Sequence, residues 1–330
     1  MIIVTGGAGF IGSNLVRGLN NRGCDEILLV DGLEDVAQVA NLADLTISDY
    51  MDKDEFRRAL CRSRLPNGID MVYHQGACSD TMVSDGRYVM DNNYSYSRDL
   101  LEWCLAHNVP LVYASSAAVY GGGECFNEES GSESPINAYA YSKYLFDNYA
   151  RKAIAHATSP VIGLRYFNVY GPGEAHKGRM ASMAWHLYQQ FDKHQKVRLF
   201  SGSGGYGDGE QRRDFVTVHD VVSVNLFFYE QSAISGIYNV GTGESRSFND
   251  LALAVINACS ELNNQSPVDL SEAHTRGWIE YFEMPRQLDS RYQSFTQADI
   301  TRLCEHGYTR PFTSLEQGAR DYIAHLEGVF

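Results

Sequence analysis

Ser116, Tyr139 and Lys143 bring together a hydroxyl, a phenol and an ammonium, the side chains needed to move a proton on and off an oxygen. Tyr139 and Lys143 stand at i and i+4 of the stretch from Asn137 to Ala155, whose spacing predicts a helix, so both emerge from one face about a turn apart. A lysine ammonium lowers the pKa of a nearby phenol, which suits Tyr139 for proton exchange near neutral pH. Ser116 follows the apolar run from Val109 to Ala114, read as a strand, and its hydroxyl at that carboxyl end could bond a substrate oxygen. Together the three describe hydride transfer at a sugar or alcohol carbon. In a chain with 21 tyrosines the Tyr-x-x-x-Lys spacing alone equally suits a surface helix, with an aliphatic lysine stem lying on a ring.

Hydride transfer needs a dinucleotide, and the amino-terminal stretch is built to hold one. Met1-Ile2-Ile3-Val4 reads as a buried strand, and Ser13 to Leu19 has apolar residues at helical spacing. Between them, Gly6 permits a sharp exit from the strand, Gly9 lets a pyrophosphate approach backbone N–H groups, and Gly12 brings the helix close to the strand. A second strand, Glu26 to Val30, ends in Asp31, about twenty residues past the glycines, where a carboxylate meets the adenosine ribose.

Strand and helix signals then alternate. Leu45 to Asp49 reads as a short strand, Met51 to Leu60 as a helix, Ile69 to His74 as a strand, Tyr88 to His107 as one long helix, and Val161 to Arg165 as a strand. Repeated βα units predict an α/β fold, a doubly wound parallel sheet of the Rossmann type with ligands at the carboxyl ends of its strands. Later elements are less regular: a helix from Met180 to Gln190, strands at Lys196 to Phe200 and Ile237 to Val240, and helices at Leu251 to Leu262 and Leu315 to Leu326. We therefore expect a dinucleotide-binding domain over 1–169 and a smaller α/β substrate lobe over 170–330, with about 210–245 returning to the large domain. The five glycines between Gly202 and Gly209 predict a mobile loop.

Composition bounds the function. At 330 residues, with 44% hydrophobic residues and 8 prolines, the chain can bury a large core. A net charge of −14 argues against nucleic acid as a partner. No apolar run is long enough for a membrane span, and a strand starting at Met1 leaves no room for a leader, so a cytoplasmic protein is expected. The 7 cysteines form no Cys-x-x-Cys pair, which suits reduced thiols and no metal site.

The chain resembles the extended short-chain dehydrogenase/reductases that act on nucleotide sugars, over nearly its whole length. The resemblance is carried by Thr5 to Gly12, His74-Gln75-Gly76-Ala77, Ser115 to Gly121, Tyr139 to Lys143, Arg165 to Pro172 and Arg213 to Val218. Within that family it is most similar to the branch acting on ADP-heptoses, through Gly76 to Ser79, Met90 to Tyr94, His176-Lys177-Gly178, Met180-Ala181-Ser182 and Arg291 to Asp299. The resemblance implies NADP-dependent epimerisation at C6″ of the heptose: oxidation to a transient ketone, presentation of the opposite carbonyl face, and return of the hydride. It implies Tyr139 as one acid–base group and Lys177 as the other; by spacing alone Lys177 is a solvated loop lysine.

Further roles are implied residue by residue. Phe10, Ile11, Asp31, Gly32, Gln38, Lys53, Gln75, Gly76, Ala77, Cys78, Ser79, Asn92, Lys143, Val169 and Lys177 match cofactor-binding positions, Lys143 also bonding the ribose. Asn168, Arg179, His186, Phe200, Ser201, Gly202, Ser203, Arg213 and Tyr292 match positions around the ADP-heptose substrate, Arg213 as the partner of the diphosphate. A homo-oligomer, a pentamer, is likewise implied. Gln38 and Arg179 depart from the pattern: a lysine and a small polar residue are usual there. With Asp31 repelling a 2′-phosphate and Lys53 compensating, NADP is expected and NAD stays open. The alternatives are another nucleotide-sugar epimerase, such as a UDP-hexose 4-epimerase, and a non-catalytic dinucleotide-binding protein. Ala117-Ala118 after Ser116 disfavour a 4,6-dehydratase, which needs acids there.

Overall fold

A computed structural model describes every residue except 34, 35, 82, 84, 232, 233, 286–291 and 330; Arg291, from the motif noted above, therefore lies outside the described residues. Its centre is a parallel sheet of β1 (Ile2–Thr5), β2 (Ile27–Asp31), β3 (Asp49–Asp52), β4 (Met71–His74), β5 (Leu111–Ser116), β6 (Val161–Tyr166) and a late strand, β11 (Gly236–Val240). The strand order is β11-β6-β5-β4-β1-β2-β3, the doubly wound arrangement expected from the repeated βα units. Ile2, Ile3 and Val4 are all buried, because a parallel sheet covered on both faces selects continuous apolar runs.

On one face, α1 (Phe10–Asn20) packs against α7 (Val218–Glu230). On the other lie α2 (Lys53–Cys61), α4 (Tyr96–His107) and α5 (Ala138–Ile154), around Phe56, Leu100, Leu101 and Phe146. The short helix α3 (Gly86–Val89) precedes α4. A second core gathers α6 (Met183–His194), α8 (Phe248–Leu262), α9 (Leu270–Thr275), the parallel pair β8 (Val197–Phe200) and β13 (Ile279–Phe282), and a terminal helix, here α11 (Leu315–Leu326). The connection between the cores uses β7 (Asn168–Tyr170) with β10 (Phe215–Thr217), β9 (Arg212–Arg213) with β12 (Arg246–Ser247), and α10 (Thr301–Glu305).

Four expectations need correction. The third strand is not Leu45–Asp49 but Asp49–Asp52, a polar edge strand paired only with β2, while Leu45 and Ile47 pack on the core from a loop. The helix from Tyr88 to His107 is not continuous: Met90–Ser95 forms a π-helical turn between α3 and α4. The helix placed at Met180 begins at Met183, after Ser182 caps it through the Trp185 N–H at 3.2 Å. The glycine-rich loop is not loose, since the Gly202 N–H donates to Asp208 Oδ1 at 2.7 Å, the Gly209 N–H to the Phe200 carbonyl at 3.0 Å, and Asn249 Nδ2 to the Asp208 carbonyl at 2.9 Å.

Candidate functional site

A cleft of about 330 Å³ opens at the carboxyl ends of the central strands, with Gly6, Gly9, Phe10, Ile11 and Gly12 along its floor. Gly6 has φ +68°, and a Cβ there would lie 2.5 Å from the Gly76 nitrogen; one on Gly12 would lie 2.0 Å from the Gly6 oxygen. Gly9 is the N-cap of α1, which has neither a capping side chain nor an acid in its first turn. The positive helix end is thus left for an external anion, with no side chain in its approach.

Asp31 lies at one end of the cleft, where its Oδ2 accepts the Ala8 N–H and its Oδ1 the Gly32 N–H, each at 2.8 Å. Burial pushes its carboxyl up, against those bonds and the Lys53 charge. Lys53, Cys78 and Asn92 line an adjoining recess of about 100 Å³ that shares Asp31, Gly76 and Ala77. Gly32 itself lines neither space; its part is the bond to Asp31. Gln38, Gln75, Gly76, Ala77, Ser79 and Val169 complete the main cleft. Open helix start, bare glycine and ribose-facing carboxylate fit a dinucleotide.

Residues to which sequence reasoning assigned no role of their own, Asn93, Tyr166 and Asn225, hold this lining. Asn93, in the π-helical turn, accepts the Cys78 N–H at 2.8 Å and donates to the Cys78 carbonyl at 3.0 Å and to Ser142 at 3.1 Å. Gln75 accepts from the Tyr166 hydroxyl at 3.0 Å and donates to buried Asn225 at 3.2 Å. All seven cysteines are free.

Ser116, Tyr139, Lys143 and Lys177 share the cleft. Ser116 ends β5 in register with Tyr166, and its Oγ accepts the Ala118 N–H at 3.1 Å. Burial raises the pKa of Tyr139, while its hydrogen bond with Ser116 acts in the lowering direction. Lys143, buried at 3% exposure, donates to the Ala114 carbonyl at 2.7 Å. Burial brings the Lys143 pKa down to about 8, against the opposing charge of Asp147. Asp147 is itself fully buried and bonds Ser115 at 2.9 Å, Tyr113 at 3.1 Å and Arg165 Nε at 2.9 Å. Lys177 sits with Nζ 5.4 Å from the Phe10 ring centroid, and burial holds its pKa below the usual lysine value, with Glu174 opposing.

Behind β7 lies a larger cavity of about 810 Å³. Asn168 lines it while its neighbour Val169 lines the inner cleft, as alternate faces of a strand dictate. Likewise Arg179 lines the outer cavity and Lys177 the inner cleft, two residues apart on one segment. His186, Phe200, Arg213 and Tyr292 are brought to the outer cavity as well, with Arg213 4.9 Å from the Tyr292 ring centroid. Ser201, Gly202 and Ser203 are not on its wall; Gln211 Nε2 holds the Ser201 carbonyl at 3.0 Å and the Ser203 hydroxyl at 3.1 Å just behind it. Arg179 also pairs with Asp80 at 2.7 Å. Met183, Gln190, His194, Lys196, Arg198, Phe248 and Phe282 line the cavity unforeseen: Met183, Gln190 and His194 share one face of α6 with His186, but helical spacing alone does not tell a cavity-lining face from a core-packing one.

Among the described residues no helix is long and apolar enough to cross a membrane, and no group of His, Cys, Asp and Glu is arranged to hold a metal ion.

Known proteins match this architecture. Residues 2–241 match the NAD dependent epimerase/dehydratase family. The Helicobacter pylori ADP-L-glycero-D-manno-heptose-6-epimerase is 31% identical, with 99% of this chain and 96% of that one covered and a TM-score of 0.80. The Thermus thermophilus UDP-glucose 4-epimerase, solved with NAD, is 28% identical over 100% of this chain and 99% of that one at a TM-score of 0.76. The Thermotoga maritima UDP-glucose 4-epimerase, solved with UDP-glucose, is 26% identical over 99% of both chains at 0.75. With its glycine loop, parallel sheet and Ser116, Tyr139 and Lys143 in one cleft, the chain belongs to the NAD-dependent epimerase/dehydratase family, a fold of nucleotide-sugar enzymes.

Proposed function

We propose that this protein epimerises C6″ of ADP-D-glycero-D-manno-heptose to the L-glycero form, as a cytoplasmic step of lipopolysaccharide core synthesis. One observation carries the reading: Tyr139 and Lys177, two groups able to exchange a proton, line the same cleft as the glycine loop. Inversion of a carbinol carbon needs acid–base groups for two orientations of the sugar, and a redox-neutral cycle needs the cofactor kept in place. The 31% identity to a heptose epimerase supports the same reading.

The nicotinamide, when bound, supplies acceptance and return of a hydride at C6″. Tyr139 takes and gives back the hydroxyl proton in one orientation, Ser116 holding the substrate oxygen beside it. Lys177 does the same in the other, its pKa lowered by burial so that a neutral amine is reachable. Lys143 holds the ribose, and Arg213 with its aromatic neighbours receives the nucleotide diphosphate. In this reading a cofactor half ends at about residue 169 and a substrate half follows, in a protein that assembles as a homo-oligomer.

NADP is the cofactor of this reading, with Lys53 beside its 2′-phosphate. NAD is a second reading that Asp31 favours, since a carboxylate repels that phosphate. The Thermus and Thermotoga matches favour a second substrate, a UDP-hexose inverted at C4″. One experiment separates them: the purified protein is given ADP-D-glycero-D-manno-heptose or UDP-glucose, products are read by NMR, and the nucleotide released by acid is weighed. The proposal expects inversion at C6″ of the heptose, no conversion of UDP-glucose, and NADP. Inversion of UDP-glucose with an untouched heptose overturns the substrate, and NAD overturns the cofactor.

A further inference from the structure

The segment that carries Lys177 is closed by a carboxylate that sequence reasoning left without a role. Glu174 is fully buried. Its Oε1 accepts the Gly171 N–H at 3.1 Å and the Ser182 hydroxyl at 2.8 Å, and its Oε2 accepts the Ser182 N–H at 2.5 Å. The two ends of the segment 171–182 are thereby tied through one side chain. Inside that ring the Lys177 N–H donates to the Glu174 carbonyl at 2.9 Å and the Ala181 N–H to the Gly178 carbonyl at 3.0 Å. Gly171, Gly173 and Gly178, at φ +141°, +92° and +53°, supply turns that side chains rarely allow.

Every donor to this carboxylate is uncharged, and a neutral acceptor could satisfy such groups at a smaller desolvation cost than a buried anion. The retained charge needs a cation to act on. Around Lys177 are the uncharged Phe10 ring of α1, the adjacent His176 held by Asn41 at 3.3 Å, and, across the cleft, Asp31 of β2 with Tyr139 and Lys143 of α5. Of these surroundings it is the Glu174 charge that acts on the Lys177 ammonium, against burial.

We infer that Glu174 is a positioning residue for Lys177: its carboxylate closes the Gly171–Ser182 ring that presents the lysine to the cleft, and places a buried negative charge three residues along the chain from that lysine. The inference rests on the proposed role of Lys177 only for its functional meaning; the pairing itself is measurable without any sugar substrate. A tighter field from Glu174 keeps a fraction of Lys177 protonated, so that it can return a proton as well as remove one.

The test is the pH dependence of Lys177 acylation by a small amine-reactive anhydride, followed by peptide mass spectrometry on the cofactor-bound protein. Lys177 should label with a midpoint below that of exposed lysines. In Glu174→Gln the midpoint should fall further, by about one pH unit, so labelling below it becomes about tenfold faster. Glu174→Asp, which keeps the charge, should shift it by clearly less. If Glu174 only braced the segment, either variant would loosen it, hydrate Lys177 and raise the midpoint toward the ordinary lysine value. A rise or no change with Gln, or equal falls with Gln and Asp, overturns the inference. Should the Gln variant melt near the assay temperature, labelling is done in the cold with saturating dinucleotide, which stabilises the folded form. Failure of the heptose assay with the predicted labelling shift would overturn the substrate and leave the pairing standing.

Discussion

The inner cleft and the outer cavity touch across β7, yet they are made differently. The inner one is drawn from the ends of neighbouring parallel strands and from α1 and α5, and buried polar groups fix its walls. Arg165, with no exposed surface, donates from Nε to Asp147 at 2.9 Å, from Nη1 to the Tyr120 hydroxyl at 2.9 Å and from Nη2 to Glu133 at 2.6 Å. Burial pushes the Glu133 carboxyl up, yet Arg165 and Arg151 together hold it below the ordinary value. The outer cavity is a stack of rings and cations from scattered segments: Phe200 lies 5.0 Å from Phe282, and Arg198 4.6 Å above the latter. The difference teaches where precision is kept. In the proposed function, proton transfer, which tolerates little displacement, falls on the locked side, and recognition of the nucleotide sugar falls on surfaces that can vary.

The largest expected effect separates chemistry from binding. Tyr139→Phe should lower turnover by about 10²–10⁴-fold with the released dinucleotide unchanged, read by steady-state kinetics and acid extraction. Loss of the nucleotide as well would erase the distinction. Next comes the lock itself. Asp147→Asn leaves the buried Arg165 guanidinium facing a neutral amide and should cost about 3–5 kcal/mol in urea unfolding. Arg198→Ala, on the outer rim with 53% of its side chain exposed, should change stability by less than about 0.5 kcal/mol. With Arg213 in its proposed role at the diphosphate, Arg213→Ala is expected to raise KM about 10- to 100-fold while kcat holds.

The smallest effect concerns pH. Burial places the folded-state pKa of Lys143 at about 8, below the ordinary lysine value of 10.5. Below pH 8 the lysine is charged in both folded and unfolded chains and opposes folding fully; as pH rises from 8 to 10.5 only the unfolded chain still holds the proton, and the penalty fades. Lys143→Met should therefore gain about 1–2 kcal/mol at pH 7, after loss of the bond to Ala114, and the gain should vanish near pH 10. With Lys143 in its proposed role at the ribose, wild-type activity should decline as pH rises through about 8 and its ammonium is lost.

Much of the inner cleft was legible because its residues obey local rules. Gly6, Gly9 and Gly12 follow one strand and open one helix, and Tyr139 and Lys143 repeat a helical turn. The lock was not legible. Asp147 and Arg165 are polar residues inside a helix and a strand whose partners come from elsewhere in the chain, and Glu174 reads as one more loop acid. Helix α7 escaped because Val221, Val222, Val224, Leu226 and Phe228 are all buried, which leaves no amphipathic stripe to read. The edge strand Asp49–Asp52 escaped for the opposite reason, having three exposed polar or aromatic residues and no apolar run. Outer-cavity residues such as Met183, Arg198 and Phe282 come from three elements and share only their destination.

The central claim, two proton-handling groups inverting one carbinol carbon without net redox change, is tested most directly with ADP-D-glycero-D-manno-heptose deuterated at C6″. The account predicts that both epimers keep the deuterium at C6″ in ordinary water, with Tyr139 and Lys177 variants each losing the interconversion. Washout of the label into solvent, or full interconversion in the Lys177→Met variant, would contradict it.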